Sequence, residues 1–540
     1  MFHQLLTPVA GSLSLSFLVA AIPIVVVLVM LGILRRPAWQ ASLVGLIVAF
    51  LLSVLVWQFP VALAVDTMAA GAVFALWPVM WIVFNALLLY NIAVVSGRFD
   101  AFREWVLEHL PNDRRIVLVV IGFCFGCLLE GIAGFGTPVA ITSALLIMVG
   151  FPPLEALTFT LIFNTAPVAF GALGVPVTVL GQVTGLPAAT LGAMIGRQLP
   201  FLALLLPFYV MALYGGMRSL RALWPVLLVA GGSFATGQFV ASNLLNYALT
   251  DVLSSLTALI ATLLFLKVWK PAEDPTFAVR GRTGQPTGAA VAPLPSGAVP
   301  LWQGWLPWIV VSVVVIVWTE LKVFTISQQI VPWPGLHNQV LITLYKDKPY
   351  AANWVFQPLA TGTAILLAAI ITAALVGVGP GRFLAAVATT WRQSRIAILT
   401  VVLIVALAYL MNYSGLNYTL GLGVASVGFI FPLLSPFLGW VAVFLSGSDT
   451  SGNALFGNLQ VVAANQLGLN PVLIAATNSS GGVMGKMISP QNIATGVSVT
   501  ALKGQEGLVF ARTFKHSVVL TLLLGLLVLL QQYVVPWMIP

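Results

Sequence analysis

The sequence predicts an all-α polytopic membrane protein: about 12 transmembrane helices plus two re-entrant hairpins, in an inverted-repeat architecture of the secondary-transporter kind. Three observations carry this expectation. The 540-residue chain is 60% hydrophobic and only 7% charged, where a soluble domain carries about 25% charged residues. Apolar runs recur from Ser14 to the C-terminus, and a bilayer crossing needs about 20 such residues. Lys and Arg sit in short clusters between these runs, as topology markers do. The net charge of +9 therefore points to a lipid bilayer as partner and not to nucleic acid.

Taken in order, the apolar runs place crossings near 14–34, 41–60, 69–95, 154–183, 188–213, 222–247, 252–268, 304–322, 356–377, 396–412, 471–503 and 515–537. The first run is followed by Arg35 and Arg36 and shows no small-residue cleavage site, so it reads as a first span and not a removable signal. Basic clusters at 35–36, 98–115, 218–221, 267–282, 382–395 and 512–515 belong on the cytoplasmic side by the positive-inside rule. Both termini then lie outside. Residues 271–300, rich in Pro, Gly and Ala, read as a flexible linker, which divides the chain into a membrane half at 1–268, a cytoplasmic linker at 269–303 and a second membrane half at 304–540. Residues 324–353 read as an external loop.

Two segments do not suit a simple crossing. Residues 116–149, containing "CLLEGIAGFGTPVAITSALL", and 436–469, containing "FLSGSDTSGNALFGNL", each have a polar, Gly-rich middle between apolar arms. Non-helical backbone at membrane depth is tolerated only where protein or a water-filled cavity satisfies it, so each is expected to be a re-entrant hairpin. The regions repeat one another: Gly150–Pro153 in "GFPP" returns 318 residues later in "GLNP", and Asn164, Gly171 and Pro176 return 314 residues later as Asn478, Gly485 and Pro490. A charged amphipathic stretch precedes the first copy, whereas no Lys or Arg lies between Arg395 and Lys486 around the second. The copies are thus expected to enter from opposite sides, with a site near the midplane where they meet.

Scarce polar residues in these segments are the candidates for chemistry. Glu130 and Asp449 occupy the two hairpins and are the proton-coupling candidates, because intramembrane ionisable groups are costly and usually have a task. Lys486, inside the eleventh crossing, needs an anionic partner: Asp449, Glu130 or a substrate. Its string resembles a phosphate loop, but the GxxxxGK[ST] pattern fails at Met487. Asn164 and Thr165 lie at a Pro- and Gly-broken stretch, and Asn478 and Gln491 at its counterpart. Ser451 and Asn453 flank Asp449. These residues, with Arg197 as a possible bidentate carboxylate anchor, form the expected substrate-binding set. His516, beside Lys515, reads as a surface histidine, and Cys124 and Cys127 as small core residues. No His/Cys cluster or nucleophile elbow occurs, so neither metal, cofactor nor enzymatic chemistry is expected.

The strings "GFCFGCLLEGIAGFGTPVAITSALL", "NTAPVAFGALGVPVTVLGQVTG", "GRQLPF", "FLGWVAVFLSGSDTSGNALF", "GGVMGKMISPQNIA" and "YVVPWMIP" resemble bacterial L-lactate permeases of the lactate permease family, which includes glycolate permeases. The resemblance spans nearly the whole chain apart from 271–300 and 325–353. It implies inner-membrane uptake of L-lactate, and of D-lactate and glycolate, with protons as the coupled ion. The residues by themselves leave open another short carboxylate, sodium in place of protons, and, from other classes, an integral-membrane enzyme or a channel.

Overall fold

The computed structural model describes residues 1–34, 36–108, 110–133, 137–272, 274–279, 299–498, 500, 502 and 505–540. Among them, ten helical stretches are long and apolar enough to cross a bilayer, or eleven if the bent pair Pro153–Phe163 and Val168–Thr184 makes one span. The chain is a multi-pass membrane protein, mainly helical.

Its outer helices are built inside out. Helix Ala38–Leu55 buries Ala41, Gly45, Ala49 and Ser53, spaced four apart on one face, and turns Ile47, Leu51 and Leu55 outward. A Cβ on Gly45 would stand 2.3 Å from Val27. Small residues thus let backbones approach, as they do where lipid removes any hydrophobic drive between helices. By contrast, the stretch Arg114–Ile132 is wholly enclosed by protein.

Helix Leu306–Glu320 links two distinct faces. At its start, Gly304 abuts the backbone of Phe102, and Arg98 donates to Gln303 Oε1. The same basic face holds Arg114, which donates to the carbonyls of Gly150 and Thr276, and the buried pair Arg115–Asp113 at 2.7 Å. The Thr276 hydroxyl and amide, then Arg218 and Arg115, hold the Asp274 carboxyl below its ordinary range. They tie the start of the linker to this face; residues 280–298 of the linker lie outside the described residues.

Beyond the other end of Leu306–Glu320 lies a small β-structure, where the sequence suggested a loop. Gln329–Pro332 pairs antiparallel with Asn353–Phe356, Gln329 opposite Phe356. Phe2–His3 runs parallel to Val340–Ile342, which pairs antiparallel with Lys348–Pro349. Short β-branched runs broken by Pro and Gly sufficed for these strands, but they are too brief to stand out from loop.

In each segment expected to form a hairpin, two helices pack against one another. A Cβ on Gly126 would meet Thr142 Oγ1 at 3.3 Å, bringing Gly126–Ala133 against Thr137–Met148. One on Gly452 would meet Val443 at 2.6 Å, bringing Phe431–Ser446 against Asp449–Leu467. The first tip, Gly134 to Gly136, lies outside the described residues.

Two crossings are divided differently from the sequence reading. The runs at 188–213 and 222–247 share one helical stretch, Leu199–Val240, interrupted at Gly216 (φ 64°, ψ −169°). Its 42 residues would extend about 63 Å if straight, twice a hydrocarbon core of about 30 Å, and the glycine makes the turn. The run at 471–503 breaks after Lys486: helix Pro471–Lys486 ends there and Pro490–Ser498 follows. Pro490 at the first position of the second piece explains the interruption.

The two broken helices run in opposite senses. Pro153–Phe163 begins beside Gly150 on the basic face, whereas Pro471–Lys486 follows Asn465, whose side chain donates to Tyr345 on the β face.

Candidate functional site

The first hairpin and the second broken helix meet at an ion pair. Glu130, on Gly126–Ala133, is 2% exposed and Lys486 5%; the ammonium donates to Glu130 Oε1. Asn164 Nδ2 donates to Glu130 Oε2 at 3.0 Å, so both carboxylate oxygens are satisfied. Lys486 ends its helix, where the macrodipole favours a cation. Asn164 caps Pro153–Phe163, and the chain then bends by 62°. Past the bend Ala172, Leu173 and Gly174 all adopt left-handed φ of 46°, 58° and 77°. A Cβ on Gly171 would lie 3.1 Å from Glu130 Oε1, so this backbone passes directly beside the pair.

The second hairpin places its carboxylate differently. Asp449 opens helix Asp449–Leu467 behind the N-cap Ser448, where backbone amides and the dipole favour an anion. Its Oδ2 accepts from Ser479 Oγ at 2.5 Å and from Asn453 Nδ2 at 3.2 Å; Oδ1 has no partner among the described residues. Asn453 also donates to the Pro176 carbonyl at 3.2 Å, joining this hairpin to the first broken helix. Asn478 Nδ2 donates to Asn453 Oδ1 at 3.0 Å, and Gln460 Nε2 to Asn478 Oδ1 at 3.2 Å. Every member of this network is buried. The helices bearing it come close because Gly439, Gly481, Gly482 and Gly485 lack side chains: a Cβ on Gly482 would fall 2.3 Å from Asp449 Oδ1, and one on Gly481 2.1 Å from the Pro436 carbonyl.

Of the residues singled out in the sequence, Glu130, Lys486 and Asn164 form one cluster, and Asp449, Asn453 and Asn478 another. Thr165 is buried with its hydroxyl donating to Ile162 O at 2.7 Å. Ser451 is buried, its amide donating to Ser448 Oγ at 3.4 Å. Gln491 is exposed and lies against Gly447 at the second hairpin's turn. Arg197 stands apart from both clusters: it donates to Asn243 Oδ1 at 2.7 Å and to the Met538 carbonyl at 3.0 Å, near the C-terminus. His516 is buried against Tyr209 at 2.5 Å, not on the surface. Cys124 and Cys127 are free, buried core residues.

Two residues escaped the sequence reading. Gln460 links the second network internally; nothing in its spacing marked it. Asp251 is the second residue of helix Thr250–Val268, one position before the crossing expected at 252–268. It is 1% exposed. Gly122, Gly126, Pro138, Thr142, Thr160 and Asn164 face one another beside the first cluster across a gap with no room for a water. The Thr142 and Thr160 hydroxyls have no hydrogen-bond partner among the described residues.

The chain matches the family model described as L-lactate permease over residues 16–535. It is 44% identical to a glycolate permease, GlcA, of Escherichia coli strain K12 over 97% of both chains. It is 40% identical to an L-lactate permease of Salmonella typhimurium over 98% of both. The solved structure of MtrF from Neisseria gonorrhoeae, reported with a class of antimetabolite efflux pumps, aligns over 94% of this chain and 97% of that one, at 12% identity and a TM-score of 0.47.

Proposed function

The chain belongs to the L-lactate permease family and is a transporter, not an enzyme; on that premise we propose that it takes up L-lactate, D-lactate and glycolate across the bacterial inner membrane by proton symport. The observation that carries the coupling is the Glu130–Lys486 pair. Among the described residues, Lys486 is the one buried ammonium in the membrane interior, and Glu130 occupies it.

A substrate carboxylate can gain Lys486 only by displacing Glu130. The displaced carboxylate then sits unpaired in a dry site. Uncompensated buried charge costs about 3–5 kcal/mol, roughly a hundredfold or more in occupancy. A proton on Glu130 removes that penalty, so the binding of one substrate anion and one proton becomes a single event. Asn164, which already holds Glu130 Oε2, keeps the neutral acid oriented.

The 2-hydroxyl is read by the short polar groups of the second network. Asn453, Asn478, Ser451 and Ser479 offer donors and acceptors in an otherwise apolar interior, and Asp449, kept by Ser479 and Asn453, is the second proton-coupling candidate. Thr165, its hydroxyl on Ile162 O, Gln491, exposed at the second hairpin's turn, and Arg197, held by Asn243 and the Met538 carbonyl, take no direct part in this reading. Movement of one half against the other then changes which side the site faces, and the electrical part of the gradient supplies about 2.3 kcal/mol per charge per 100 mV.

The test is uptake of labelled L-lactate and glycolate by proteoliposomes under an imposed pH step, acid outside, in sodium-free buffer. Accumulation that a protonophore abolishes is the expected result. Accumulation only when sodium is added would assign the coupling to that ion and overturn the proton reading.

A further inference from the structure

Asp251 has no role in the scheme above, yet its surroundings are unusual. Both carboxylate oxygens lack any hydrogen-bond partner among the described residues, and the side chain is 1% exposed. It lies against the residue following Glu130: a Cβ on Gly131 would be 2.6 Å from Asp251 Cβ. The charged groups acting on it are Glu130 and Lys486, with the Cys127 thiol beside it. Of the elements packed on its helix, Gly126–Ala133 brings Glu130, Leu118–Phe125 and Gly171–Thr184 carry no charged residue, and Leu199–Val240 and Leu306–Glu320 carry Arg218, Arg221 and Glu320, which are not among the charges acting on Asp251.

Lys486 is already taken by Glu130. Against the loss of water an ionised Asp251 would have the start of its own helix and an ammonium already paired, but no hydrogen-bond donor among the described residues, and proteins relieve such a state by neutralising the group. Nor does it share Asp449's compensation from Ser479 and Asn453.

We infer that Asp251 is a proton-binding residue of the transport site, a neutral acid at rest whose proton is a condition for substrate binding. Ionisation would place a second negative charge beside the Glu130–Lys486 pair. That charge would compete for the ammonium and repel an arriving carboxylate. Loss of the proton, an O–H bond broken with the proton passing to water, therefore closes the site to anions. The inference rests on the transporter reading and adds a second acid to it.

The experiment measures L-lactate affinity of purified protein against pH in the wild type, Glu130→Gln, Asp251→Asn and the double variant. Glu130→Gln retains a tenfold or larger loss of affinity on the alkaline side, and adding Asp251→Asn flattens the profile to within twofold. Asp251→Glu keeps the dependence but moves its midpoint. A flat profile in Glu130→Gln alone, or an unchanged loss in the double variant, overturns the inference. Infrared spectra of the wild type without substrate give a second readout that holds even where a variant does not fold. A protonated carboxylic carbonyl band at neutral pH is expected, with a component that is lost in Asp251→Asn and shifted in Asp251→Glu, whatever Asp449 contributes. Absence of that band from the wild type, or a wild-type minus Asp251→Asn difference spectrum with no such component, overturns the inference without reference to any substrate. Failure of the wild type to bind L-lactate or glycolate, with the band present, instead removes the proposed substrate and leaves the acid.

Discussion

Glu130 and Asp449 sit on corresponding helix pairs, each near a broken helix of opposite sense, yet the protein treats them differently. Glu130 is compensated by a fixed cation, Lys486, and by one amide. Asp449 is compensated by a hydroxyl, an amide and a helix N-terminus, with no ammonium in hydrogen-bond reach among the described residues. The difference teaches that a shared position does not fix a shared role. A carboxylate held by a cation can be exchanged for another carboxylate, which is what a substrate is. One held by dipoles cannot be replaced so simply, because its partners also bind each other through Asn453 and Asn478. On the proposed function, the first copy serves exchange and the second recognition.

Breaking the first copy should have the largest effect. Lys486→Ala leaves Glu130 buried without its cation, a loss of about 3–5 kcal/mol, and uptake should fall by at least about a hundredfold at equal protein level in vesicles. Lys486→Ala combined with Glu130→Gln removes the stranded charge, so its folded yield should recover relative to Lys486→Ala while uptake stays lost. A double-mutant cycle on thermal stability measures that coupling; additive losses would mean the pair is not energetically linked. Next, Glu130→Gln should bind substrate more tightly at neutral pH, since nothing competes for Lys486, and should lose accumulation against a gradient. Retained pH-driven accumulation in this variant would remove Glu130 from coupling.

The glycines beside the two carboxylates sharpen the contrast. Gly482→Ala would press a methyl to 2.3 Å from Asp449 Oδ1, while Gly171→Ala would leave 3.1 Å to Glu130 Oε1. Overpacking of the first kind costs about 1–3 kcal/mol. Uptake should drop about tenfold or more in Gly482→Ala and no more than about threefold in Gly171→Ala, read as KM and maximal rate. The reverse ranking would mean that the first copy has less room than the second. The smallest effect is expected at Arg197, whose partners are Asn243 and a terminal carbonyl. Arg197→Lys should shift uptake less than about threefold; a larger loss would bring it into the substrate path.

Much of this arrangement was legible beforehand. Glu130, Asp449 and Lys486 stood out because charges are scarce in an apolar chain, and the Asn164 and Asn478 breaks because Pro and Gly follow them at matching intervals. Which carboxylate takes Lys486 was not legible, because the partners lie 356 positions apart and no spacing rule links an arm of one half to a helix end in the other. Asp251 was lost by a boundary: hydropathy places the start of a span only to within a few residues, and here the expected span began one residue after it. Arg197 attracted notice by its chemistry, but chemistry does not reveal that the C-terminal segment folds back onto it. Gln460 had no signal at all, since a buried amide in a helix looks like a surface one until its neighbours are known.

The backward-turned stretch after Asn164 deserves a mechanical reading. Ala172 and Leu173 carry side chains in a conformation that disfavours them by about 1–2 kcal/mol each, and Gly174 beside them is packed on Tyr247 and Ala248. The neighbours therefore hold this piece of backbone cocked. Whatever withdraws them gives it a downhill direction of recoil, so the step next to Glu130 would be released and not pushed.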